Sequence, residues 1–180
     1  MPWGPKDGAP PVPDDQGDTP HCTRYAISKG VMQWLHNRGR KGDQDKIVQV
    51  LIGHFIGKIG KPINSYEFHN EFVTIEVDGK QEMRVKMAVE TVKQCVGPFA
   101  STKKYQKFET DNDGCLILSW QMADGAHAIY AEKYDPHKDI FHCINSWGKE
   151  GEGIKKETLR PDIPSSHVKR VYRVRFLEVR

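Results

Sequence analysis

Cysteine is scarce in this chain: 4 thiols in 180 residues, at Cys22, Cys95, Cys115 and Cys143, with no Cys-x-x-Cys pair and no His-x-x-x-His. That excludes a disulfide scaffold and gives no zinc-ligand spacing, so no metal site is expected. No apolar run approaches the eighteen or so residues needed to cross a bilayer as a helix. The first residues, rich in Pro, Gly and Asp, also lack the apolar centre of a signal peptide. Glycine patterns that cradle phosphates or dinucleotides are missing as well. A large charge excess is absent too: the net charge of +3 and pI near 8.6 are too mild for a nucleic-acid partner. The basic clusters, Arg38 to Lys41, Lys103-Lys104 with Lys107, and Lys169 to Arg175, read as solvated faces. In the last, Tyr172, Val174 and Phe176 alternate with Arg173 and Arg175, the pattern of a strand with one buried and one wet side.

What is present fits one globular α+β domain over 1–180, with a mainly helical half over about 1–72 and a mainly β half over about 73–180. Tyr25, Ala26, Val31, Trp34 and Leu35 recur at helical spacing after Cys22, and Asn37-Arg38-Gly39 stops the run. A second helix is expected from Asp43 or Gln44 to Lys58, and a short helical turn over Asn64 to Phe72. Val73, Ile75 and Val77, then Asp78-Gly79, then Met83, Val85 and Met87 spell a hairpin. Cys115 to Trp120, His127 to Tyr134, Asp139 to Ile144 and Val168 to Val179 are further strands.

The residues that carry chemistry are Gln16, Cys22, His127 and Asn145, followed by Trp147. A thiol attacks a carbonyl as thiolate, so it needs a positive or basic neighbour that later protonates the leaving group, and His127 is the candidate. An amide such as Asn145 holds an imidazole in orientation by accepting its other N–H. A Gln amide beside the backbone N–H of the nucleophile supplies two donors to a tetrahedral oxyanion, which is the expectation for Gln16. Cys22 at the head of a helix also gains the positive end of the macrodipole. With Cys22 set aside, Cys95, Cys115 and Cys143 leave no close pair, which favours a reducing compartment. Cys143 reads as a core strand residue and His54 as a packed or half-exposed one.

These blocks resemble the papain-like cysteine proteases. The resemblance lies in Gln16-Gly17 six residues before Cys22, in His127-Ala128-Ile129 opening an apolar strand, and in Asn145-Ser146-Trp147-Gly148 ending the next. Trp3, Gly8-Ala9, Pro11 and Val12 look like the approach to the same motif. The chain departs from the family where Thr19-Pro20-His21-Cys22-Thr23 stands in place of Cys-Gly-Ser-Cys-Trp, so the family's disulfide at that point cannot form. It also lacks the Gly-Gly that commonly lines the non-prime subsites, and the family's long inhibitory pro-region is not in this sequence, whether removed or never made. The resemblance implies a helical half carrying Cys22 packed on an antiparallel, partly barrel-like half carrying His127 and Asn145, with the site in the groove between. It implies peptide hydrolysis with Cys22 as nucleophile, His127 as base and acid, Asn145 as orienter, Gln16 as oxyanion donor and Trp147 shielding the His–Asn pair. The expected partner is a peptide or protein in extended conformation, with no cofactor, no membrane and a monomeric chain. Two other outcomes stay open: acyl transfer through the same thioester, and a non-catalytic module that uses the cleft for binding.

Overall fold

The computed structural model describes residues 11–18, 20–54, 71–94, 113–123 and 125–180. The apolar stripe after Cys22 winds into α1 (Cys22–Asn37), burying Ala26, Ile27, Val31, Trp34 and Leu35. It ends where the Gly39 N–H donates to the His36 carbonyl at 3.0 Å. The second helix, α2 (Gln44–His54), starts where the Asp43 carboxylate accepts the Lys46 N–H at 3.2 Å, an N-terminal cap that orders the first turn. It buries Ile47, Val48 and Leu51, and Ile47 and Leu51 join the core shared with α1 and the sheet. The expected continuation over 55–58 lies outside the described residues.

Seven strands form one antiparallel sheet: β1 (Glu71–Val77), β2 (Gln81–Gln94), β3 (Gly114–Met122), β4 (Gly125–Asp135), β5 (Ile140–Ile144), β6 (Asp162–Pro164) and β7 (Val168–Val179). Their order is β1-β2-β7-β3-β4-β5-β6, so the last strand is threaded between the hairpin β1–β2 and β3. A short helix, α3 (Lys156–Leu159), sits between β5 and β6. The expected turn over Asn64 to Phe72 is corrected at its end. Glu71 and Phe72 pair with Met87 and Lys86 in the ladder, and the Phe72 ring lies under the Arg84 and Lys86 cations on the outer face. Residues 64–70 are outside the described residues.

β3 explains how the layers are joined. Its apolar run is continuous because both faces are buried. Cys115 and Ile117 join the core under α1 and α2, while Leu116 and Leu118 join a second core with Ile129, Ala131, Tyr134, Phe141, Cys143, Ile163 and Val171. The second core is built wholly from strand residues, so the sheet bends around it. β7 departs from simple alternation: Arg173, expected in solvent, is 3% exposed and its guanidinium meets Glu90 at 3.1 Å. The reason is that β7 is an interior strand laddered to β2 and β3, and its register sets Arg173 opposite Glu90.

Helix and sheet approach closely at Gly30, where a Cβ would stand 2.3 Å from the Cys115 Sγ and 3.0 Å from its Cβ. Alanine would favour the helix by about 1 kcal/mol, but overpacking a core costs about 1–3 kcal/mol, and a contact this short puts the balance on the overpacking side. Gly30→Ala is therefore expected to lower the melting temperature by several degrees, about 2–4 °C per kcal/mol at this chain length. Cys115→Ala in the same chain should recover most of the loss, and thermal unfolding of the two variants checks it. A Gly30→Ala protein as stable as the parent would contradict this packing.

Candidate active site

A short ribbon of main chain draws the site together. The Gln16 N–H donates to the Ser146 carbonyl at 2.9 Å, the Gly148 N–H donates to the Asp14 carbonyl at 3.0 Å, and Asp15 forms a bridge with Trp147 between them. Thus the segment leading to Cys22 is knitted to the segment leaving β5. At Gly17 the chain turns away with φ +60°, a conformation open to glycine, and the Asp15 carboxylate accepts the Gly17 N–H at 2.8 Å. Gly148 also needs glycine: its φ is +142°, and a Cβ there would stand 2.0 Å from Ile154 Cδ1.

Cys22 is the first residue of α1, half-buried, and His21 at the cap position makes no side-chain cap bond. His127 lies on β4, opposite Trp120 of β3, and is 7% exposed. Asn145 directly follows β5 and is 1% exposed. Its Oδ1 and the His127 Nε2 are 2.8 Å apart. The amide's orientation is fixed independently: Nδ2 donates to the Thr158 carbonyl at 3.1 Å, and Oδ1 accepts the Ser146 N–H at 2.9 Å. An oxygen facing Nε2 makes Nε2 the protonated nitrogen of a neutral imidazole, which leaves Nδ1 as the basic atom. α1, with Cys22 at its head, packs over β4 through Ala26, Ile27 and Tyr130.

Trp147 stacks on His127 with ring centroids 4.4 Å apart, and Trp120 lies 5.9 Å from Trp147 and 6.4 Å from His127. The indoles cover the His127–Asn145 bond. Burial pushes the His127 imidazole below its ordinary value, the Asn145 bond opposes this, and the positive charge of Lys29 adds to the lowering. The neutral imidazole is thereby the favoured resting form. Arg24, buried on the first turn of α1, is lowered by burial and raised by an anionic Cys22 sulfur, so a second cation stands within electrostatic range of the thiol.

Gln16 is 9% exposed, and its Oε1 accepts the Ser146 hydroxyl at 2.5 Å. With the Ser146 hydroxyl donating, the amide oxygen of Gln16 faces Ser146 and its NH₂ group faces away. Beneath this loop Asp14 is buried, with its Oδ1 2.5 Å from Lys29 Nζ and its Oδ2 accepting Gln44 Nε2 at 2.9 Å. Burial lowers the Lys29 ammonium, while Asp14 raises it by charge and by hydrogen bond.

The structure thus gathers His127, Asn145, Trp147 and Gln16 in one cluster, and Cys22 stands at the head of α1, the helix packed on the strand that carries His127. Sequence reasoning missed Trp120, Ser146, Asp14, Lys29 and Thr158 as supports. Ser146 stood inside a quoted motif without a role, and Thr158 acts through its backbone, which carries no residue signal. Cys143 is buried in the second core, its thiol pushed up by burial. His54 pairs with Glu71 at 3.0 Å on the surface. Among the described residues no group of three or more His, Cys, Asp or Glu is placed to hold a metal ion. Comparisons with family models, with curated proteins and with solved structures each find no match to this chain.

The lowered His127 carries a pH signature. The folded state binds fewer protons at this ring than the unfolded state, whose imidazole titrates near about 6.5. Stability therefore rises with pH below that value and is lost progressively as pH falls through it toward the folded value. Denaturant unfolding at a series of pH values from neutral to acid should show this decline, and His127→Gln, which cannot titrate, should show a shallower one. Equal slopes in both proteins would mean that His127 is not held neutral by burial.

Proposed function

We propose that this chain is a thiol-dependent hydrolase that cleaves peptide amide bonds through an acyl-cysteine intermediate, in the manner of the papain-like cysteine proteases it resembles. The observation that carries the reading is the His127–Asn145 bond at 2.8 Å, with the amide oxygen fixed by two further bonds and the pair covered by Trp147. An imidazole so oriented and dried has one basic nitrogen, Nδ1, and a surface His has no need of that arrangement.

In this reading Nδ1 of His127 takes the Cys22 thiol proton, and the sulfur adds to the scissile carbonyl carbon. The carbonyl π pair moves to oxygen, where the Gln16 amide and the Cys22 backbone N–H stabilise it. Collapse of the tetrahedral adduct expels the amine, which takes the proton from His127, and an acyl-Cys22 thioester remains. Water then gives its proton to Nδ1, its oxygen attacks the thioester carbonyl, and the Cys22 sulfur leaves and recovers the proton. An extended peptide is the substrate that the resemblance implies.

Peptide hydrolysis by purified variants tests the assignment. Cys22→Ala should abolish turnover with the fold intact, and His127→Ala should remove nearly all of it. Asn145→Ala should leave a measurable remainder, since it orients the ring and transfers no proton. Gln16→Ala is expected to lower kcat by roughly 10²-fold with KM changed far less, because its donation matters in the transition state. Turnover near the parent level in Cys22→Ala, or Asn145→Ala weaker than His127→Ala, would remove these roles.

A further inference from the structure

We infer that Asp14 and Lys29 are a positioning pair that holds the oxyanion-donor segment against the nucleophile helix; as a catalytic role this rests on the hydrolase reading, while the hold itself does not. Lys29 lies seven residues after Cys22, which sets it on the same face of α1 about two turns down. Its Nζ is 2.5 Å from Asp14 Oδ1, and the two side chains are 1% and 4% exposed. Two residues beyond Asp14 is Gln16, the proposed oxyanion donor.

Asp14 is tied in three directions. Its carboxylate takes Lys29 of α1 on one oxygen and Gln44 of α2 on the other, at 2.9 Å, while its backbone carbonyl takes the Gly148 N–H at 3.0 Å. Gln44 also clamps the residue before Pro13, giving Nε2 to the Val12 carbonyl at 2.8 Å and accepting the Val12 N–H at 3.1 Å. The strand-like run from Val12 to Gln16 is thus fixed to α1, α2 and the Asn145 segment at once. Stability alone does not explain an ion pair here. Removing two charges from water costs several kcal/mol per ion before their attraction offsets it, and a well-packed apolar pair of the same volume is often as stable. What the ions supply and an apolar pair does not is direction: the carboxylate has two oriented bonds, so the main chain that carries it has one place to be.

The double variant Asp14→Asn/Lys29→Met keeps the volumes, strands no charge and removes the ionic hold. Amide hydrogen exchange in the folded protein reads the hold without reference to activity. The Gln16 and Gly148 N–H groups should exchange at least roughly 10-fold faster than in the parent, while Leu116 and Leu118 of β3 keep their protection. Peptide hydrolysis reads the catalytic consequence: kcat should fall on the order of 10- to 10²-fold with KM nearly unchanged, the size expected of a small misplacement at a reacting centre. Alkylation of Cys22 by iodoacetamide, which makes no oxyanion, should keep its rate. If the double variant does not fold, Asp14→Leu/Lys29→Met, which strands no charge and leaves Gln44 Nε2 on the Val12 carbonyl, is read by the same measurements. Unchanged exchange at Gln16 and Gly148 overturns the hold, and parental kcat in an active protein overturns its catalytic role. A parent that hydrolyses no peptide, with those two amides still loosened in the variant, would keep the hold and sink the hydrolase reading instead.

Discussion

The main-chain pairing of Asp14 to Gln16 with Ser146 to Gly148 is the constraint on which the site depends. Without the Gln16 to Ser146 and Gly148 to Asp14 bonds the loop before α1 would have no fixed relation to the strand end carrying Asn145. With them, the direction of the chain into Cys22 and the direction of the Gln16 side chain are set by the sheet. Each of these bonds is buried or half-buried, where a lost partner leaves an amide without water and costs about 1–3 kcal/mol. The ribbon therefore forms completely or the loop comes away.

The two cores give that ribbon something rigid to lie on. β3 and β4 are buried on both sides, so His127 is placed by a strand that has no freedom to shift register without turning Ile129 and Ala131 out of one core and Tyr130 out of the other. α1 is pressed onto β3 and β7 at Gly30, against Cys115 and Phe176. The dry environment that results is what lowers the His127 imidazole, so rigidity and proton affinity come from one source. Ser146 then adds polarity in a known direction: its backbone N–H, which can only donate, identifies the oxygen of the Asn145 amide.

Much of this was legible in the residues because it rests on patterns that survive without three dimensions. The stripe after Cys22 has helical period, the hairpin around Asp78-Gly79 alternates cleanly, and the apolar run of Cys115 to Trp120 marks a strand. The order of Gln16, Cys22, His127 and Asn145 exposed the candidate site. The supports stayed hidden for definite reasons. Asp14, Lys29 and Arg173 are charged and therefore read as surface, and only their partners, fifteen or eighty-three residues away in sequence, make burial possible. α3 carries a single buried apolar side chain, Leu159, and β6 is three residues long, so neither has a period to detect. β2 runs to Gln94, beyond the alternation that marks its hairpin, because β7 continues the ladder on its other edge.

The most direct test of the account is covalent labelling with a peptidyl epoxide or vinyl sulfone, followed by peptide mapping. Such a probe binds as an extended peptide and reacts with a thiol only where an imidazole can handle the proton. Cys115 and Cys143 are buried, with their thiols pushed up, and offer no such partner. The account predicts one adduct, on Cys22, forming rapidly in the parent and much more slowly in His127→Ala. No adduct on the folded protein, or one on a cysteine other than Cys22, would contradict it.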